Sequence, residues 1–415
     1  MTRTSVPAIN PPPLTPSPEL RWLLLRAFGP IDTPWSHRAL NDQTTADAAV
    51  RLDVAARIGS RMTRDDVLSE AGPETATVLT EARDEAALQV ACLRRLLDEV
   101  GHVASGLGLR VLVLKGMAYQ LNRSLDPGAR PTGDLDLLAP AERAHELFDA
   151  LVELGFRQAT LHGTDYHLPV LVHPHGMVLE IHTGIGYLRA SDGASLDLAA
   201  VLAAGRIQTK PGLPEGCLLP DEDLLMAHLL GHFLGQHRQW PMAYPLCRML
   251  LDCADLAWPA ERWRAFWQNG YPYIAQVVDR ADIVAVGRLV DGLAGGADVA
   301  AILCADDRAS RMLRHAVFGA LDPLYRGRLV SDVMVATTGA RGRLSGLMAY
   351  AAGRMWRPRA ELEARFGSGG GAAAHAWRRF RGIFAPAWTV ARVGIPWLGK
   401  VIRSRFRRLA RVIRG

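Results

Sequence analysis

Residues Val111–Ala139 read VLVLKGMAYQLNRSLDPGARPTGDLDLLA, and the rest of the chain is interpreted outward from them. The opening run Val111-Leu112-Val113-Leu114 is apolar and rich in β-branched residues, the pattern of a buried strand. It stops at Lys115-Gly116, a short helical stretch follows over Met117–Leu125, and Pro127, Gly128, Pro131 and Gly133 then make a turn-rich segment. The chain runs next into Asp134-Leu135-Asp136-Leu137-Leu138. Side chains alternate faces along a strand, so Asp134 and Asp136 share one face while Leu135 and Leu137 turn to the core. Two carboxylates about 7 Å apart on one face repel unless a cation lies between them. Mg²⁺ is held by one or two carboxylates together with substrate phosphates. Strand, Lys-Gly, helix and Asp-x-Asp in that order therefore read as a site for metal and phosphate.

A third carboxylate stands downstream. Val178-Leu179-Glu180-Ile181-His182 alternates after the turn-like His175-Gly176, and as a neighbouring strand it would bring Glu180 beside the two aspartates. Three such groups can hold two metal ions, which clamp the attacking and leaving oxygens of a phosphoryl or nucleotidyl transfer.

These residues carry a resemblance. A Gly-containing turn, a helix, Asp-x-Asp and a later third carboxylate look like the nucleotidyltransferase superfamily related to DNA polymerase beta. More narrowly, LKG, RPTGDLDLL, LEIH and LPDEDLLMAHLLGHF resemble a bacterial family of uncharacterised nucleotidyltransferases, over roughly Ala82 to Leu256. The resemblance implies Asp134, Asp136 and Glu180 as catalytic carboxylates and metal ligands, with Mg²⁺ as the ion and Mn²⁺ as the alternative. Lys115 and Gly116 stand where the superfamily has its phosphate-binding Gly/Ser turn, but the usual serine is missing and a lysine appears. Beside a helix N-terminus, Lys115 suits a phosphate partner, and it also suits a solvent-facing strand end. Arg130 is expected to set a guanidinium fork on a triphosphate, or else to brace its turn. His182, on the face of Glu180, is expected at the base, sugar or acceptor, or as a structural histidine.

Composition bounds the rest. With 415 residues the chain can bury a large core and is expected to form two domains with tails. No apolar run reaches 18 residues, so no membrane span is expected, and the Pro-rich start lacks the apolar core of a secretory signal. Five scattered cysteines without a CxxC pair argue against a disulfide framework and a zinc site, and favour the cytoplasm. The net charge of +6 hides a split, because eleven Lys/Arg and no Asp/Glu lie in 375–415, leaving −5 on the remainder.

The expected organisation is a Pro-rich lead-in (1–19), N-terminal helices (20–108), a small mixed-sheet α/β or α+β nucleotidyltransferase core flanked by helices (109–217) and an α-helical second domain (218–366). A Gly-rich linker (367–374) and a basic amphipathic tail (375–415) complete it. Periodicity predicts helices at Leu20–Ala27, Ala46–Arg61, after Thr63, at Glu74–Ser105 and at Ala141–Leu154. His162–His175 reads as a loop beside the site. Further helices are expected at 221–233, 246–257, 259–268, 274–292, 310–320 and 343–356. His228 and His232 have the i, i+4 spacing of zinc ligands, but the Glu of HExxH is missing and leucines flank them, which favours core histidines. The tail puts Leu398, Val401, Ile402, Phe406, Leu409, Val412 and Ile413 on one helical face and arginines on the other, with tryptophans upstream. That pattern fits an anionic membrane surface better than nucleic acid, and a helix packed on the chain's own acidic body competes with it.

The function expected is transfer of a nucleoside monophosphate from a nucleoside triphosphate to a hydroxyl-bearing acceptor: a sugar, a peptide or a small molecule. The alternative is a module of the same fold that binds a nucleotide or peptide without turnover.

Overall fold

In the computed structural model the described residues are 15–35, 40–123, 125–159, 166–190, 192–237, 246–255, 258–275 and 278–321. Apart from 317–321 they fall in one compact unit made of 12–238 and 244–316. The expected helix at 343–356, the linker and the basic tail lie outside the described residues. So does most of the lead-in.

Helices come first, as the periodicity predicts: α1 (Pro18–Phe28), α2 (Asp42–Arg51), α3 (Ala55–Arg61), α4 (Arg64–Glu70) and α5 (Pro73–Gly106). The helix expected over 46–61 is broken in two, because Asp53 adopts a left-handed backbone with φ of +59°. Thr63 caps α4 by accepting from the Asp66 amide, as a Ser/Thr N-cap does. Asp42 caps α5 from another helix by accepting from the Glu74 and Thr75 amides at 2.9 and 2.7 Å. Gly72 precedes α5 at φ +110°, and a Cβ there would lie 2.7 Å from that carboxylate, so the cap requires glycine. One face of α5 is buried along its length through Leu79, Ala86, Val90, Leu93, Leu97 and Val100.

The core follows as β1 (Val111–Val113), α6 (Lys115–Arg123), β2 (Asp134–Leu138), α7 (Ala144–Glu153), β3 (Arg157–Gln158), β4 (Leu171–Val172), β5 (Val178–His182), β6 (Ile185–Arg189), β7 (Ser195–Leu196), α8 (Leu198–Ala203), β8 (Ile207–Gln208) and β9 (Cys217–Pro220). Seven strands form one mixed sheet in the order β3-β4-β5-β2-β1-β9-β8, and β6 with β7 makes a separate hairpin. The strands β1, β2 and β5 at its centre are those read from the sequence. Neither β9, which lies parallel to β1, nor the hairpin was foreseen. Leu112, Leu135, Leu137, Leu179 and Ile181 are fully buried, so the apolar alternation of these strands supplies the core.

The remaining helices are α9 (Glu222–Leu230), continued as a π-helical stretch over Gly231–His237, then α10 (Leu246–Asp255), α11 (Ala260–Asn269), α12 (Tyr271–Ile274), α13 (Arg280–Ala294), α14 (Val299–Cys304) and α15 (Arg308–Leu321). Among the described residues no helix is long and apolar enough to cross a membrane.

Candidate active site

Strand register assembles the site. β2 and β5 run parallel with Asp136 directly opposite Glu180 and Leu138 opposite His182. Residues paired in a parallel ladder project to the same face, and the period of two puts Asp134, Asp136, Glu180 and His182 on that one face. Asp136 is 1% exposed and His182 5% exposed, while Asp134 and Glu180 are half-buried. The His182 Nε2 lies 2.8 Å from Asp136 Oδ1 and 3.5 Å from Glu180 Oε2. One ligand atom from each of Asp136, Glu180 and His182 falls within 4.8 Å of the other two, a spacing suited to a metal ion.

Lys115 enters from the end of β1. It is the first residue of α6, yet its φ is +45°, a left-handed conformation uncommon for a residue with a long side chain. Its ammonium lies 2.5 Å from Asp136 Oδ1 and 3.6 Å from Glu180 Oε2. Thus the lysine read as a phosphate partner rests on the carboxylates.

Gly116 packs the next turn of chain. A Cβ there would lie 2.6 Å from Arg130 Nη1 and 2.7 Å from Thr132 Cγ2, so this glycine lets α6 approach the Arg130–Thr132 turn closely. Arg130, expected at the phosphates, is buried and donates from Nε and Nη2 to the two oxygens of Asp252 at 2.8 and 2.9 Å. Its fork is therefore engaged by α10. Arg248, one turn earlier on α10, donates to the Pro131 carbonyl at 2.7 Å and pairs with Asp53. Both arginines hold the turn that delivers Asp134.

Electrostatics follow from this crowding. Burial, and then the charge of Asp136, push the Asp134 carboxyl up to about 6. Burial acts in the same sense on Asp136, but Lys115 and His182 outweigh it and hold that carboxyl well below the usual carboxylate range. Burial disfavours charge on Lys115 and His182 too, and the carboxylates raise both. The face is built around negative charge that needs cations.

The residues present fit a divalent metal. Asp136 Oδ2 is buried and has no hydrogen-bond partner among the described residues, an expensive arrangement unless something else binds it. Carboxylate oxygens are hard ligands suited to Mg²⁺ and Mn²⁺.

The sequence did not single out two neighbours. Tyr166 stacks on His182 with ring centroids 6.3 Å apart and planes 15° from parallel, and His167 meets the same ring at 5.6 Å. Both belong to the segment read as a loop beside the site. Their only sequence signal is that the segment is rich in His, Gly and Pro. Among the described residues, His228 and His232 belong to no cluster spaced for a metal ion. The Tyr187 hydroxyl hydrogen-bonds His228 Nε2, and His228 is fully buried on α9.

A search of curated proteins found no match. Among solved structures the chain is similar to the antibiotic-resistance factor ANT(2'')-Ia, with 18% identity and a TM-score of 0.32, covering 48% of this chain and 96% of that one. A family model described as uncharacterised nucleotidyltransferase matches residues 39–267, more than half of the chain and the whole of β1, α6, β2 and β5. The protein whose carboxylates line up across β2 and β5 thus belongs to that family of uncharacterised nucleotidyltransferases.

Proposed function

We propose that the chain is a Mg²⁺-dependent nucleotidyltransferase that moves a nucleoside monophosphate from a nucleoside triphosphate to an acceptor hydroxyl. The observation that carries this reading is Asp136, a buried carboxylate in register with Glu180, whose Oδ2 has no hydrogen-bond partner among the described residues. In a chain of this family such an atom is best explained as a metal ligand.

Asp134, Asp136 and Glu180 would hold the metal, and Mn²⁺ would be the natural substitute for Mg²⁺. When bound, the metal supplies charge neutralisation and orientation of the triphosphate. Glu180, the more exposed of the pair with Asp136, accepts the proton of the acceptor hydroxyl. That oxygen attacks the α-phosphorus in line, the bond to the bridging oxygen of the β-phosphate breaks, and pyrophosphate leaves with the electron pair. His182, fixed by Asp136 and by the Tyr166 ring, borders the same face and suits contact with the base, sugar or acceptor. Gly116 keeps α6 close to the turn, and Arg130 acts through that turn. Catalysis of this kind is mostly positioning and charge stabilisation, and the acceptor is a hydroxyl-bearing sugar, peptide or small molecule. The basic, aromatic-bearing tail suits an anionic membrane face, and the scattered cysteines suit the cytoplasm.

One observation favours a second reading. Lys115 lies where a cation would bind, as in a module that binds without turnover. Calorimetric titration with each of the four nucleoside triphosphates, with and without Mg²⁺, separates the readings when followed by assay for pyrophosphate. The transferase reading expects Mg²⁺-dependent binding that the Asp134→Ala/Asp136→Ala variant loses while remaining folded. Equal binding by that variant would remove the carboxylates from the site.

A further inference from the structure

Three carboxylates face one lysine in this site, and the lysine is not loosely placed. Its ammonium touches Asp136 and approaches Glu180, two of the three residues whose ligand atoms are spaced for a metal ion. Its side chain is 20% exposed and that of Asp136 is 1% exposed, so withdrawing the ammonium would leave a buried carboxylate without its counter-charge. Removing one partner of a buried pair is strongly unfavourable. The backbone is committed as well, since a lysine at φ +45° persists only where the surroundings determine it.

We infer that Lys115 is a tethered cation filling one of the two positions of a two-ion site, so that this chain takes a single divalent ion. The inference rests on the transferase reading and refines it. Position supports it: the Lys115 ammonium already lies on Asp136 and beside Glu180, where a second ion would bind. Ligand supply supports it too. Asp136 Oδ1 is engaged by both Lys115 and His182, whereas Oδ2 is the atom left over. Asp134, two residues before Asp136 on β2 and on the same face, is the further carboxylate beside that atom. A second ion at Glu180 would have to displace the lysine first.

The test is Mn²⁺ electron paramagnetic resonance on the full chain saturated with an α,β-methylene nucleoside triphosphate, in wild type and in Lys115→Met. Wild type is expected to bind one ion per chain with a mononuclear signal. Lys115→Met, which keeps the length of the side chain and removes its charge, is expected to bind two, with the spin coupling of ions about 3.5–4 Å apart. A coupled pair in wild type overturns the inference, as does a single ion in both proteins. If the methionine variant does not fold, Lys115→Gln replaces it, and the wild-type signal still decides the first point. Absence of nucleotide-dependent Mn²⁺ binding by wild type overturns the transferase reading itself, and is distinguishable from a coupled pair.

Discussion

His228 is a residue whose chemistry was visible in the sequence only as a pair of histidines four apart. In the fold its Nε2 accepts from or donates to the Tyr187 hydroxyl, and its Nδ1 has no hydrogen-bond partner among the described residues. Burial, reinforced by the positive charge of Lys115, depresses its pKa from 6.5 to about 3. The folded protein therefore keeps this imidazole neutral where the unfolded chain protonates it. Below pH 6.5 the unfolded state binds the extra proton, so stability is lost as pH falls from 6.5 toward 3. At pH 5 that loss is about 2 kcal/mol for this one group. His228→Gln keeps a hydrogen-bonding partner for Tyr187 and cannot titrate in this range. Its thermal midpoint should fall less than that of wild type between pH 7 and pH 5. Identical pH dependence in the two proteins would show that His228 is not held neutral.

At the scale of elements, Gly116 fixes how closely α6 approaches the turn before β2. The Cβ of Gly116→Ala would press on Arg130 Nη1 and Thr132 Cγ2 at 2.6 and 2.7 Å, and overpacking of this kind costs about 1–3 kcal/mol. The expected result is a lower melting temperature together with weaker Mg²⁺-nucleotide binding, because the displaced turn carries Asp134. Unchanged melting would mean that α6 shifts freely. The elements around this contact were legible for local reasons. β1, β2 and β5 alternate or run apolar over several residues, α5 repeats its apolar face for many turns, and Thr63 announces a cap. What stayed hidden depends on distant chain. β9 is four residues ending in proline, and its place beside β1 is set by pairing across about a hundred residues. The break between α2 and α3 lies in the left-handed backbone of Asp53, and the direction of Lys115 in that of a lysine, neither of which spacing reveals. The Asp-x-Asp pair and Glu180 could be placed on strands, but their register could not. Nor could the lysine between them.

Across the whole described unit, two ion pairs tie α10 and the N-terminal helices to the turn that delivers Asp134. Arg130 with Asp252 joins residues 122 apart in the chain, and Arg248 with Asp53 reaches back to the break between α2 and α3. Tyr119 of α6 adds a hydrogen bond to the Asp252 carbonyl at 2.8 Å and lies under the Arg130 guanidinium at 5.5 Å. The Arg130–Asp252 pair is almost fully buried, so its loss is asymmetric. Asp252→Ala takes the bidentate carboxylate from a buried guanidinium and should destabilise the protein, by about 3–5 kcal/mol if the charge is left uncompensated. Replacing both partners in Arg130→Met/Asp252→Leu leaves no uncompensated charge and should recover most of that stability. Function should not recover with it, since the bidentate fork that orients the 130–132 turn is gone, and Mg²⁺-dependent nucleotide binding should remain weaker than in wild type. Thermal unfolding and calorimetry on the same three proteins separate the two roles. A double variant as unstable as Asp252→Ala would refute the charge argument, and one that binds nucleotide like wild type would show that the pair holds the fold without positioning the site.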